Sequence, residues 1–195
     1  MKGNSRKVAP TKIIALTAIL TALVVVLQFL GQFIRFGPFA ISLVLIPIVI
    51  GAATCGTKAS TWLGSVFGAI VLVSDAQAFL AIDILGTVVT VLLKGMLAGL
   101  LTGLTYKLAS KKNVYLAVVL SAIVCPLVNT GVFLLGCWVF FMDTINEWAT
   151  AFGFASAVEY MFLGMVGVNF LFELATNVIL SPVVVRLLNI KKKAK

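Results

Sequence analysis

The sequence predicts an all-α membrane protein of six transmembrane helices with both termini in the cytoplasm, and three observations predict it. The 195 residues are 62% hydrophobic and only 11% charged, with a mean hydropathy of +1.17. A soluble chain of this length needs far more charge to clothe its surface. The apolar residues fall into runs near the 20 or so that a helix needs to cross a hydrocarbon core of roughly 30 Å. The charges between those runs alternate in sign along the chain, as the excess of Lys and Arg in cytoplasmic loops requires.

Taken in order, the first run covers about residues 11–30 and follows Lys2, Arg6, Lys7 and Lys12. It is longer than the apolar region of a signal peptide and no small-residue cleavage site follows, so it reads as a retained helix. A short outer loop, 31–38, leads to the second helix at 39–54, which contains Pro47; a tight inner turn with Gly56 and Lys58 joins it to the third at 59–73. Ser74, Asp75, Ala76 and Gln77 form an outer loop before the fourth helix, 81–108. Lys111 and Lys112 mark the inner loop before the fifth, 114–141; an outer segment, 142–160, has room for a short amphipathic helix; the sixth helix is 161–188 and a basic tail, 191–195, follows. The whole chain, 1–195, reads as one transmembrane domain.

On this map 13 of the 15 Lys and Arg residues lie at the inner ends, and Asp75, Asp83, Asp143, Glu147 and Glu159 lie at the outer ends. Arg35 is the outer basic residue, while Lys94 and Glu173 fall inside helices four and six. Five crossings would place the two basic termini on opposite faces, so six are expected. The net charge of +9 is thereby a matter of topology and lipid contact, not of nucleic acid. With no His in the chain, the commonest general base and metal ligand is missing. Phosphate-loop, GxSxG and HExxH patterns are absent too, so no catalytic residue, no metal and no bound cofactor is expected. Cys55, Cys125 and Cys137 are widely spaced and read as small apolar residues.

A charge near the bilayer centre is costly and normally faces the bundle interior, so Lys94 and Glu173 either lock two helices together or form the floor of a polar pocket. Asp83, Thr87, Thr90 and Lys94 share one face of the fourth helix, with Gly95, Gly99 and Gly103 below them as a close-packing stripe. Asn169, Glu173 and Asn177 share a face of the sixth, and Asn129 lies on the fifth with Phe133 and Trp138 nearer the outside. The convergence reads as a pocket open to the outside: Lys94, Asn129, Asn169, Glu173, Thr90, Thr87, Asp83 and Trp138, with Arg35 in the outer loop. Ala15, Ala18 and Ala22 give the first helix a small-residue face, and Gly64 and Gly68 do the same for the third.

The run Leu45-Ile-Pro-Ile-Val-Ile-Gly51, then Gly56 to Gly64 and Phe67-Gly68, resembles the paired glycine motifs of the substrate-binding S components of energy-coupling factor (ECF) vitamin transporters, in the group with pantothenate, folate and riboflavin binders. Thr57 stands where Pro is common there, and Ala59 or Ser60 where Gly is common. The Asn169-x-x-x-Glu173 spacing fits the same group. The resemblance implies capture of a vitamin-like molecule from outside and docking through Ala18-x-x-x-Ala22 on a transmembrane coupling subunit. Two separate ATPase subunits would use ATP, in a bacterial plasma membrane. Lys94 and Arg35 together would suit a pantothenate-like acid. The other readings are a stand-alone secondary transporter using a Lys94–Glu173 pair and a non-catalytic membrane scaffold.

Overall fold

A computed structural model describes the backbone of residues 10–33, 35–36, 39–40 and 43–193, and the side chains of 10–33 and 43–188. The side chain of Arg35, the N-terminal Lys2, Arg6 and Lys7, and the basic tail side chains lie outside the described residues.

Helices dominate. They are α1 (Pro10–Gly31), α2 (Leu45–Cys55), α3 (Thr57–Ser74), α4 (Gln77–Leu80), α5 (Ile84–Ala109), α6 (Val114–Phe140), α7 (Met142–Ala151), α8 (Ala157–Glu159) and α9 (Gly167–Lys193), with a π-helical stretch at Tyr160–Met165. Five of them, α1, α3, α5, α6 and α9, are long and apolar enough to cross a membrane.

Three expectations need correction. Helix two does not begin at residue 39: Phe39–Ala40 is a strand, β2, paired antiparallel with β1, Arg35–Phe36. The helix starts only at Leu45, so its 11 residues give about 16 Å of rise, short of the hydrocarbon thickness. Hydropathy alone cannot distinguish a buried strand from a helical turn in so short an apolar run. The fourth helix does not run on from residue 81. The short α4 precedes it, and Asp83 caps α5 by accepting a 3.0 Å hydrogen bond from the Gly86 N–H. The sixth helix is not continuous over 161–188, because the π-helical stretch gives way to regular α-helix at Gly167. The amphipathic helix expected in the outer segment is α7, which buries Ile145 and Ala149.

Chain punctuation is visible in the residues. Gly56, at φ 92°, separates α2 from α3, a conformation costly for any residue with a Cβ. Asn113 accepts from the N–H groups of Tyr115 and Leu116 at 2.8 and 3.2 Å and starts α6. Ser156 caps α8 through the Glu159 N–H at 3.1 Å, while the Glu159 carboxylate takes the Ala155 N–H at 2.8 Å.

The α5 helix is the centre of the bundle. Its stripe Gly95, Gly99 and Gly103 lies directly on the α3 backbone: a Cβ built on Gly95 would meet the Gly68 nitrogen at 2.9 Å, and one on Gly103 the Thr57 Cα at 2.7 Å. On its other side α5 meets α6, where a Cβ on Gly86 would strike Phe140 and one on Gly136 would strike Thr90. Antiparallel α3 and α5 therefore approach nearly backbone to backbone, and α5 and α6 seat Phe140 and Thr90 side chains on each other's glycines, which maximises dispersion contact where lipid supplies no hydrophobic driving force. The main core, around Leu45, Ile48, Leu63 and Phe67, fills the space among α1, α2, α3, α5 and α6.

Candidate ligand-binding site

The helix directions sort the described charges by end. Asp75 closes α3, Asp83 opens α5, Asp143 and Glu147 lie on α7 and Glu159 on α8. All five belong to the end where α1, α3 and α6 finish and α5 begins. Lys12, Lys58, Lys107, Lys111, Lys112 and Arg186 belong to the opposite end.

A cavity of about 70 Å³ opens towards the acidic end. Its polar lining comes from four long helices: Gln28 on α1, Asp75 at the end of α3, Lys94 on α5, and Asn129 and Thr130 on α6. A fifth, α9, adds Asn169 and Glu173. Its apolar lining includes Val71, Phe79, Val91, Phe133, Met165 and Phe170. Four of the expected pocket residues, Lys94, Asn129, Asn169 and Glu173, thus converge on one space.

Glu173 is 6% exposed and Asn129 5%. The Lys94 ammonium lies over the rings of Phe133 and Phe67, 5.1 and 5.7 Å from their centroids, a placement that stabilises a cation in apolar surroundings. Glu173 and Asp75 line the same cavity as Lys94. Gln28 ties α1 to α3 by donating from Nε2 to the Ser74 hydroxyl at 3.2 Å. The Asn129 Oδ1 and Gln28 Oε1 atoms are buried and accept no hydrogen bond.

Of the remaining expected pocket residues, Asp83, Thr87, Thr90 and Trp138 do not line this cavity, and the Arg35 side chain lies outside the described residues. Asp83 is the α5 cap, and Thr87 donates to the Asp83 carbonyl at 2.6 Å. Thr90 is buried against Gly136 at the α5–α6 contact. Their shared face is a packing face. Trp138 is 66% exposed, on the outer flank of α6 beside Leu134, Leu135 and Phe162. Asn177 turns back along its own helix, donating to the Glu173 carbonyl at 2.8 Å.

Sequence reasoning missed Gln28, Asp75, Phe79 and Met165. Gln28 had a signal, an amide inside an otherwise apolar run. Asp75 was assigned to a loop, where its depth is invisible from spacing. Phe79 seals the cavity through edge contacts with Phe133, Phe141 and Trp148, at centroid distances of 5.7, 4.9 and 5.6 Å. These contacts join α4, α6 and α7, and no local periodicity announces them. Met165 enters at the π-helical stretch, a distortion that often marks functional positions.

On the flank of the bundle, Ala15, Ala18 and Ala22 are all exposed along α1. Ala18 lies in a groove between α1 and the start of α3, with Thr17, Thr21, Lys58 and Trp62. The Trp62 indole donates to the Thr21 hydroxyl at 3.2 Å, fixing the two helices across it.

A family model described as "ECF transporter, substrate-specific component" matches residues 12–185. That span takes in every described cavity residue and nearly the whole of every candidate membrane-crossing helix, and the chain belongs to this family. No curated protein and no solved structure matches it.

Proposed function

We propose that this chain captures a small, vitamin-like organic molecule from outside the cell in the cavity between α1, α3, α5, α6 and α9, as the substrate-binding subunit of an ECF-type importer. The observation that carries the reading is the convergence of Lys94, Asn129, Asn169 and Glu173 on one cavity. Polar groups at membrane depth are expensive and normally mark a substrate path. The chain itself does no chemistry and binds no cofactor; ATP is used by two partner ATPases joined to a transmembrane coupling subunit.

The topology that suits this role is six crossings, both termini cytoplasmic, in a bacterial plasma membrane, with residues 1–195 as one domain. Support comes from helix direction. The Thr21–Trp62 and Gln28–Ser74 bonds follow the same order along α1 and α3 and make them parallel. A return of the chain between them through α2 would supply the sixth crossing. Small side chains at Ala15, Ala18 and Ala22 let a coupling-subunit helix approach closely.

Native mass spectrometry of the purified protein tests the reading. A retained small molecule is expected. A chain that retains none, or that imports solute into vesicles unaided, contradicts it.

A further inference from the structure

We infer that ligand entry moves one wall of this cavity: the π-helical stretch Tyr160–Met165 yields outward into an apolar groove beside α6, and the free space of that groove lets the cavity reach a ligand's size. The inference rests on the reading of the cavity as the ligand site.

Size is the first argument. The cavity measures about 70 Å³, room for roughly two waters at about 30 Å³ each. Sites for small organic molecules run from about 300 Å³ upwards. A vitamin-like molecule therefore enters only if a wall retreats.

Most walls are fixed. The α3 and α5 helices touch through backbone atoms at Gly64, Gly68, Gly95 and Gly99, where nothing can rotate aside. The α5 and α6 helices are keyed together where Thr90 sits on Gly136 and Phe140 on Gly86. Hydrogen bonds from Gln28 to Ser74 and from Trp62 to Thr21 tie α1 to α3. The inner end of α9 is held where Val184 and Leu188 join the main core. Its outer approach belongs to a separate apolar cluster with Phe141, Ile145, Tyr160, Met161 and Met165. Phe79 packs into that cluster too, but its ring is enclosed by Phe133, Phe141 and Trp148.

Space on the far side of this approach is the second, independent argument. Met165 and the adjoining Val166 line the cavity. Met161 and Phe162 of the same stretch line a groove of about 550 Å³, bounded across from them by Gly131, Leu134, Leu135 and Trp138 of α6. These α6 residues lie in the outer half of a helix apolar enough to cross the membrane. Lipid tails are as apolar as the side chains that would replace them, so a shift of Met161 and Phe162 into the groove exchanges one apolar contact for another. The backbone at this point is already irregular. The Val166 N–H reaches back to the Met161 carbonyl at 3.3 Å, and regular α-helix resumes at Gly167. Single π-helical turns of this kind are rare and concentrate at functional sites.

The test uses the small molecule that the full wild-type chain carries through purification in detergent, extracted and titrated back by native mass spectrometry. A Cβ on Gly131 meets nothing within 4 Å, and Gly131 lines the groove and not the cavity. Gly131→Phe fills the groove, whereas Gly131→Ala leaves most of it open. Holding the wall in place reduces the population able to admit ligand. Gly131→Phe is therefore expected to bind the extracted molecule about tenfold or more weakly, with the ligand-free melting temperature unchanged, and Gly131→Ala to bind it as the wild type does. Wild-type affinity in Gly131→Phe, or equal loss in both variants, overturns the inference. A second arm needs no groove-filling residue. Spin labels on Leu135→Cys and Phe162→Cys, both exposed and on opposite sides of the groove, report its width once Cys55, Cys125 and Cys137 are replaced. The distance between the labels is expected to shorten when the extracted molecule is added. An unchanged or longer distance overturns the inference and leaves the transport reading standing. A wild-type chain that retains no molecule overturns the transport reading, and the inference with it.

Discussion

At the residue scale, Lys94 and Glu173 are the two charges at membrane depth, and each limits what the other can do. Glu173 is buried on α9, and Lys94 is half-buried on α5 between two phenylalanine rings. Removing one member of a buried pair strands the other, a loss of about 3 kcal/mol or more, whereas removing both is often close to neutral. Lys94→Met and Glu173→Gln are therefore each expected to lower the melting temperature of the ligand-free protein, and the double variant to recover most of it. Additive losses would show that the two charges do not support each other. The four deep polar residues were legible because a charge or amide in an apolar run is conspicuous. Helix phase alone does not say which neighbour a face meets. Asp83, Thr87 and Thr90 share a face with Lys94, yet they cap a helix or pack on α6, and only Lys94 reaches the cavity.

At the scale of elements, two faces of small residues have opposite fates. The glycines of α5 are covered by α3, and the alanines of α1 are open. Both read alike in the sequence, since spacing shows that a helix can be approached closely but not by what. A side chain at Gly99 would collide with Ser60 and Thr61 backbone atoms, which cannot rotate away. Gly99→Leu is accordingly expected to destabilise by more than the ~1–3 kcal/mol typical of overpacking, read as a lowered melting temperature and poor recovery from membranes. Ala18→Trp should do the reverse: it adds bulk in an open groove, so folding and ligand retention stay normal while ATP-driven uptake with the partner subunits is lost. Full uptake by Ala18→Trp and Ala22→Trp alike would remove this face from the docking assignment. The elements that sequence reading misplaced, the β1–β2 hairpin and the break before Gly167, lie where the chain leaves regular transmembrane helix. Apolar composition persists across both, so hydropathy carries no mark of the change.

For the whole molecule, direction and charge give one consistent account. The pairs Gly68–Leu92 and Gly103–Thr57 make α3 and α5 antiparallel; Thr90–Gly136 and the 3.3 Å bond from the Ser121 hydroxyl to the Thr102 carbonyl do the same for α5 and α6. With α1 parallel to α3, both the α5–α6 connection and the α2–α3 turn fall at the basic end, and α7 falls at the acidic end with the cavity. Such segregation is what the cytoplasmic preference for Lys and Arg produces. An odd number of crossings would separate Lys12 from Arg186, which the helix directions bring to the same end. The measurement is labelling of single cysteines by a membrane-impermeant maleimide in intact cells, after Cys55, Cys125 and Cys137 are replaced. A cysteine at Asn146, on α7, is expected to react from outside. One at Asn113, which opens α6, is expected to react only after the cells are permeabilised. Should both label from the same side, α7 and the Lys111–Lys112 turn would share a face. The outward opening of the cavity, and with it capture from outside, would then have to be abandoned.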